Sequence, residues 1–171
     1  MEDRSTAQGR YVLVDANVIQ ATTSKPATKS TEVLACLKDL EAKDGCRLAI
    51  SEFTVFENLR NLSGEKLQKA ANILRGYEQK VVSLEVLGLA AVFSNLYNDE
   101  GYKDVTPGDF ILAATAFILG GYVLTNNHKD FPPPFFHAER EFPLAYTKGY
   151  YTQHLDLVFL LLMRATPGPL W

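Results

Sequence analysis

Apolar residues along this chain fall into two alternating patterns. Short apolar runs that end in a polar residue are typical of buried strands, and they occur at Tyr11–Asp15, Cys46–Ser51 and Tyr122–Thr125. Apolar residues spaced three or four apart predict helices between these strands. We expect the helices at about residues 32–44, 51–62, 64–79, 83–97 and 106–120, with a short helical stretch after the first strand. Strands that alternate with helices predict an α/β fold of three layers, a central mainly parallel sheet with helices on both faces.

Turn and capping residues mark several of these boundaries. The polar segment Thr22–Thr31 predicts a loop before the first long helix. The best-defined helix has Thr106 as its N-cap, Pro107 at its first position and Gly120 as its stop. It carries no charge from Phe110 to Leu119, which predicts a helix buried in the core.

The chain changes character after Pro134, where aromatic residues become frequent. The pattern predicts a C-terminal hairpin that turns at Lys148–Gly149. We therefore expect one domain over residues 1–171, with a core at about 11–131 and an extension at about 135–171. We expect aromatic residues of the extension to pack it against the domain or a second subunit, namely Tyr146, Tyr150, Tyr151 and Phe159.

Composition narrows the function without assigning it. The chain has 171 residues, of which 47% are apolar and 22% are charged, as in a globular protein. A net charge of −3 weighs against a protein that coats nucleic-acid duplexes, but not against an enzyme that binds a short single strand. No apolar run approaches the roughly 20 residues of a membrane span. Two isolated cysteines fit a reducing compartment, so we expect a cytoplasmic protein.

Acidic residues occur where such a fold would bring them together. Ligand sites in parallel sheets lie at the carboxyl ends of the strands. Asp15 ends the first strand, Asp130 follows the last strand, and Asp109 opens the helix that leads to it. Glu57 lies in an apolar stripe, where an unpaired charge is costly. Four carboxylates at one edge would suit one or two Mg²⁺ or Mn²⁺ ions, which prefer oxygen ligands.

Four segments in this order resemble the PIN-domain nucleases, the family that includes the VapC-type toxins of toxin–antitoxin pairs. The segments are LVDANV, SEFTVFENL, GDFILAATA and LTNNHKDF, and the resemblance covers about Tyr11 to Phe131. Each motif is weak alone, and the four together at these intervals carry the resemblance. It implies a PIN-like fold and a divalent-metal-dependent endoribonuclease that cleaves single-stranded or looped RNA. It also implies an antitoxin partner, and we expect a homodimer or higher oligomer.

The resemblance also implies roles for single residues. Asp15 and Asp109 would be the principal metal ligands, and Glu57 would bind metal or orient the attacking water. Many family members have an aspartate at the position of Asn127, so Asp130 would replace that carboxylate here. Two further residues match the hydroxyl near the metal and the small polar residue beside the first acid, namely Thr125 and Asn17.

Each of these residues also has an ordinary structural interpretation. Asp109 follows Thr106 by three residues and is expected to close a capping box. Glu57 could pair with Arg60, and Asp130 could be an ordinary loop charge. The candidates for contact with RNA phosphates are surface cations, namely Lys25, Lys29, Arg60 and Lys129.

Two other functions compete with the nuclease. VLVDANV and VLTN resemble the first two motifs of haloacid-dehalogenase-like phosphatases, but the adjacent acidic pair that those enzymes need downstream is missing. The stronger alternative is a PIN-like module that binds RNA or a protein with little or no catalysis, because Asn127 lowers the negative charge of the site.

Overall fold

The computed structural model describes residues 10–25, 27–148 and 154–165. Strands and helices alternate along these residues as the apolar pattern predicts. In chain order they are β1 (Tyr11–Val14), α1 (Ala16–Ala21), α2 (Ala27–Ala42), β2 (Arg47–Ser51), α3 (Glu52–Leu59), α4 (Gly64–Leu74), β3 (Glu78–Lys80), α5 (Leu84–Asp99), α6 (Pro107–Ile118), β4 (Tyr122–Thr125), β5 (Phe136–Lys148) and β6 (His154–Ala165). A 3-10 helix at His128–Asp130 follows β4.

The strands form one sheet in the order β3-β2-β1-β4-β6-β5. The first four strands are parallel, and β6 runs antiparallel to both β4 and β5. This arrangement confirms the mainly parallel sheet. It also puts β1 between β2 and β4, so the ends of the three buried strands are neighbours.

Alternate residues of the central strands face opposite helical layers. Val12 and Val14 of β1 pack in a cluster with apolar residues of α1 and α2, whereas Leu13 packs with α5 and α6. All three are fully buried, as expected for a strand covered on both faces. The three-layer α/β fold is therefore confirmed. Among the described residues, none of the helices combines the length and apolar composition that a membrane span requires.

Three predicted boundaries were wrong for local reasons. The loop expected at Thr22–Thr31 is too long, because α2 begins at Ala27 and the hydroxyls of Ser30 and Thr31 donate to the Ala27 carbonyl at 2.9 and 3.0 Å. Such bonds satisfy polar side chains within a helix. Helix α3 ends at Leu59, before Asn61 takes a φ of 65°. Helix α4 ends at Leu74, where the chain turns into β3.

The C-terminal strands confirm the predicted hairpin. They pair from Phe136 with Ala165 to Lys148 with His154, and β6 joins the parallel part of the sheet through β4. Residues 149–153, which include Tyr150 and Tyr151, lie outside the described residues, as do the side chains of Tyr146 and Phe159. The aromatic packing of the extension therefore stays a prediction.

Candidate active site

Asp15 lies at the junction of β1 and α1. Its backbone is extended and its amide donates to the Leu124 carbonyl at 3.0 Å, which continues the pairing with β4. The side chain is only 6% exposed, so its carboxylate needs hydrogen bonds. Asn17 Nδ2 and Thr125 Oγ1 donate to its Oδ2 atom at 2.6 and 2.7 Å.

The Thr125 hydroxyl connects three segments of the site. Besides donating to Asp15, it accepts from Asn17 Nδ2 at 3.2 Å and from the Asn127 amide at 2.9 Å. A hydroxyl has one donor and two acceptor sites, so all three are used. Asn17 Oδ1 in turn accepts from the Asn126 amide at 3.3 Å. The two strand ends are therefore held in a fixed relation to Asp15.

Asp109 lies in the first turn of α6 and closes the predicted capping box. Its Oδ2 atom accepts from the Thr106 amide at 2.9 Å and from the Thr106 hydroxyl at 2.6 Å. The same carboxylate acts on the other acids, because its charge raises the pKa of Asp15, Glu57 and Asp130. The structure therefore brings Asp109 into the acidic site while it caps the helix.

Glu57 reaches the site from α3 through close packing against α6. A Cβ atom added at Gly108 would lie 3.1 Å from Glu57 Oε1 and 2.6 Å from Phe53 Cε1. Gly108 therefore lets α3 approach the turn that carries Asp109. The ion pairs of the described residues do not include a pair between Glu57 and Arg60.

Asp130 ends the 3-10 helix after β4, where Asn127 Nδ2 donates to its Oδ2 atom at 2.7 Å. Asn127 thus orients the carboxylate of Asp130. The backbone amide of Asn127 donates to Thr125 Oγ1. The short loop therefore links Asp130 to Asp15 through two side chains.

Burial and mutual repulsion shape the electrostatics of these acids. Burial is the largest cause that raises the pKa of Asp15, with Thr125 opposing it and Asp109 adding to it. Burial, Asp15 and Asp109 raise the pKa of Glu57, with Arg60 opposing. Burial, Asp109 and Asp15 raise the pKa of Asp130 to about 7, with Asn127 opposing. None of the four acids takes part in the ion pairs of the described residues.

This set of donors fits a divalent cation in chemistry and in charge. The four side chains are oxygen ligands, and a cation would offset their repulsion. The Tyr97 hydroxyl is fully buried and has no hydrogen-bond partner among the described residues. Burial and the charges of Asp109 and Asp130 raise its pKa. However, no three acidic, histidine or cysteine side chains of the described residues stand close enough to form a metal site.

Two concavities open beside the acids. One, of about 590 Å³, is lined by Asp130, Lys129, His128 and Lys103 among others. The other, of about 800 Å³, is lined mainly by α4 and the end of α3, with the end of α1 beside them, and we call it the α3–α4 groove. Its lining includes Glu57, Arg60, Lys66 and Lys69.

Of the three cations that line the α3–α4 groove, the sequence predicted Arg60 but not Lys66 or Lys69. Arg60 and Lys129 line the two concavities, whereas the described residues Lys25 and Lys29 line neither. Lys66 and Lys69 were missed because nothing in sequence separates them from other exposed lysines. Their spacing of three on α4 was the one available signal, since it places both on one side of a helix.

Solved structures of toxin–antitoxin complexes share this architecture. A toxin–antitoxin complex from Klebsiella pneumoniae matches with a TM-score of 0.58 and 20% identity, over 72% of this chain and 92% of that chain. A DNA-bound VapBC from Salmonella typhimurium matches with 0.55 and 20%, over 71% and 90%. VapBC2 from Rickettsia felis, bound to a promoter DNA fragment, matches with 0.57 and 18%, over 72% and 93%.

The chain has a PIN-like fold. No family model matches the sequence, and no curated protein matches it significantly.

Proposed function

We propose that this protein is a divalent-metal-dependent endoribonuclease that cleaves single-stranded or looped RNA as the toxin of a toxin–antitoxin pair. One observation carries the proposal: the charges of Asp15 and Asp109 both raise the pKa of Glu57 and of Asp130, and none of the four acids has an ion pair among the described residues. The likeness to chains of toxin–antitoxin complexes supports the toxin part of the proposal.

The residues of the site have distinct tasks in this proposal. Asp15 and Asp109 would hold Mg²⁺ or Mn²⁺, with Glu57 and Asp130 as further ligands. The bound cation supplies Lewis acidity for phosphodiester hydrolysis. Thr125 and Asn17 hold the Asp15 carboxylate in one orientation, and a fixed orientation of ligands supports metal affinity.

RNA cleavage with and without metal tests the proposal. The purified protein is incubated with structured and unstructured RNA in Mn²⁺ or in EDTA, beside the variants Asp15→Asn and Asp109→Asn. Asp39→Asn is the control, because Asp39 is an exposed carboxylate paired with Lys43 at 2.7 Å on α2. We expect cleavage by the wild type and by the control in Mn²⁺ only, and no cleavage by the other two variants.

The folded state of each variant is checked by its thermal unfolding, because Asp109 also caps α6. Cleavage that survives EDTA and both substitutions would come from a contaminant and would remove the support for an enzyme.

The alternative is a PIN-like module that binds RNA or a protein without cutting it. The absence of three suitably close ligands among the described residues favours it, as does the amide at Asn127. Calorimetric titration with Mn²⁺ separates the two functions and counts one or two ions. Binding of Mn²⁺ without cleavage of any RNA would support the module.

Several expectations about the whole protein stay predictions. They are the antitoxin partner, the homodimer or higher oligomer, the single domain over residues 1–171 and the cytoplasmic location. The two cysteines are free, and Cys36 is buried against the α2 face of the sheet. Co-purification with the product of a neighbouring gene would test the antitoxin, and light scattering would test the oligomer.

A further inference from the structure

An exposed aromatic ring lies on α3, the helix that carries Glu57. Phe56 is 58% exposed, and it is the exposed one among the phenylalanines whose side chains the structure describes. Its ring centroid lies 5.8 Å from that of Phe53, with the planes tilted by 48°. Phe53 in turn packs against Gly108, immediately before Asp109. Phe56 therefore packs on Phe53, which in turn packs on the turn that carries Asp109.

Helix geometry places this ring beside a carboxylate and a cation. Phe53 and Glu57 are four residues apart on α3, as are Phe56 and Arg60 at its end, so each pair lies on one side of the helix. Viewed along the helix axis, the side chains of these four residues leave the helix within an arc of about 100°. An exposed aromatic face, an acid and a guanidinium thus open in one direction.

The α3–α4 groove continues this surface with positive charge. Its lining includes Arg60, Lys66 and Lys69 against the single carboxylate of Glu57, in a chain whose net charge is −3. Lys69 also lies 4.0 Å from Glu65, but both side chains are exposed and such pairs are weak. The cations of the groove therefore stay available to an anion.

We propose that single-stranded RNA lies along the α3–α4 groove, with one base stacked on Phe56 and its phosphates at Arg60, Lys66 and Lys69. The strand then passes Glu57, which lines the groove, and reaches Asp15 and Asp109. This path rests on the proposed function, because it delivers a phosphodiester to the same acids.

Two physical arguments select this occupant. The regularly spaced phosphates of RNA complement the charges of Arg60, Lys66 and Lys69 along the groove, whereas an apolar partner would leave these charges unpaired. A base face is free to stack on an exposed ring only in a single strand, because a duplex keeps its bases stacked on one another. Duplex RNA is therefore expected to bind weakly.

Fluorescence anisotropy with labelled oligouridine measures the contribution of the ring. The Asp15→Asn protein is used in EDTA so that no RNA is cut. We expect Phe56→Ala to weaken binding about tenfold, within the range of base–aromatic stacking. Phe56→Trp should bind as tightly as Phe56 or more tightly. The control is Leu84→Ala on α5, where an 85% exposed side chain is lost and no change in affinity is expected.

The salt dependence of binding measures the contribution of the lysines. Lys66→Gln with Lys69→Gln should lower the slope of log K against log salt by about 1.4, or about 0.7 for each lost phosphate contact. The control removes the same charge from two exposed lysines that do not line the groove, Lys38 of α2 and Lys43 directly after it, as Lys38→Gln with Lys43→Gln. It should leave most of that slope unchanged.

The outcomes separate this path from the nuclease itself. Cleavage by the wild type, with Phe56→Ala and the Lys66–Lys69 double variant equal to their controls, would overturn the path and leave the nuclease standing. Binding that follows the expected pattern while the wild type cleaves nothing would support the path and remove the nuclease. Tight binding of duplex RNA, or self-association lost in Phe56→Ala with RNA binding unchanged, would also overturn the path.

Discussion

Replacing Thr125 by valine keeps a β-branched side chain in β4 and removes the hydroxyl that binds Asp15. Thr125 is fully buried and donates to Asp15 Oδ2 at 2.7 Å. A hydrogen bond to a charged group contributes roughly 1.5–3 kcal/mol, and no water can easily replace the donor at a buried carboxylate. The lost bonds from Asn17 and Asn127 add little, because Asn17 keeps its bond to Asp15 and Asn127 is exposed. We expect Thr125→Val to lower the free energy of unfolding by about 2–3 kcal/mol at pH 7.

The pH dependence of this loss follows from its cause. The Thr125 hydroxyl lowers the pKa of Asp15 against the larger effect of burial, so it stabilises the ionised carboxylate. Removing it raises the pKa of Asp15 in the folded protein further. The cost of Thr125→Val is therefore greatest where Asp15 is ionised in the folded protein, and it shrinks as the pH falls and Asp15 takes up a proton.

Urea unfolding followed by circular dichroism measures the effect. Thr125→Ser is the control, because it keeps the hydroxyl and loses one methyl group, at a cost of about 1 kcal/mol. In an Asp15→Asn background the bond is no longer to a charge, and Thr125→Val should cost only about 1 kcal/mol. Equal costs for valine and serine, or equal costs of valine in both backgrounds, would refute this account of the site.

Three further substitutions test the packing and charge of the site. Asp130→Asn should stabilise the metal-free protein at pH 8 but not at pH 4. With a pKa of about 7, Asp130 in the folded protein keeps its proton between roughly pH 4 and 7, where the unfolded chain has lost it. The free energy of unfolding of the wild type therefore falls as the pH rises through that window. The raised pKa of Asp130 corresponds to about 4 kcal/mol, which solvent screening reduces to about 2 kcal/mol. The prediction is contradicted if the free energy of unfolding changes with pH equally in the wild type and in Asp130→Asn. Gly108→Ala should cost about 1–3 kcal/mol in thermal or urea unfolding, because its Cβ would meet Phe53, whereas Gly88→Ala in α5 meets nothing within 4 Å and should be neutral or stabilising. Tyr97→Phe should leave stability unchanged or raise it by about 1 kcal/mol, because it removes a buried hydroxyl with no partner among the described residues; a loss above about 1 kcal/mol in urea unfolding would show that the hydroxyl is bonded.

The fold was predictable where a local signal and the apolar pattern agreed. The capping box at Thr106 and the apolar run that follows it define α6 within a few residues, and Ser51 accepts from the Thr54 amide at 3.0 Å as the cap of α3. The strand that ends at Asp15 is buried on both faces, as its continuous apolar run predicts. Parallel pairing of such strands then places their final residues at one edge of the sheet.

The rest depends on contacts between distant segments. The apolar run of β6 has no alternation that would tell which strand it joins, and its place beside β4 appears only in the folded sheet. Strand β3 consists of Glu78, Gln79 and Lys80, with no apolar signal at all. The α3–α4 groove forms where α1, α3 and α4 come together, and no local pattern encodes how these helices pack. For this reason Lys66 and Lys69 could not be separated from ordinary surface lysines.

Asp109 shows why two interpretations of one residue need not exclude each other. The sequence offers a capping aspartate or a catalytic aspartate, and the structure shows the capping bonds on a carboxylate whose charge also acts on Asp15, Glu57 and Asp130. A cap at the first turn fixes the direction of the side chain and brings it to the positive end of the helix dipole. Both effects help to hold a negative charge close to three others. The capping box is therefore part of how this chain assembles its acidic site, and the cost of repulsion among the acids is what a bound cation would relieve.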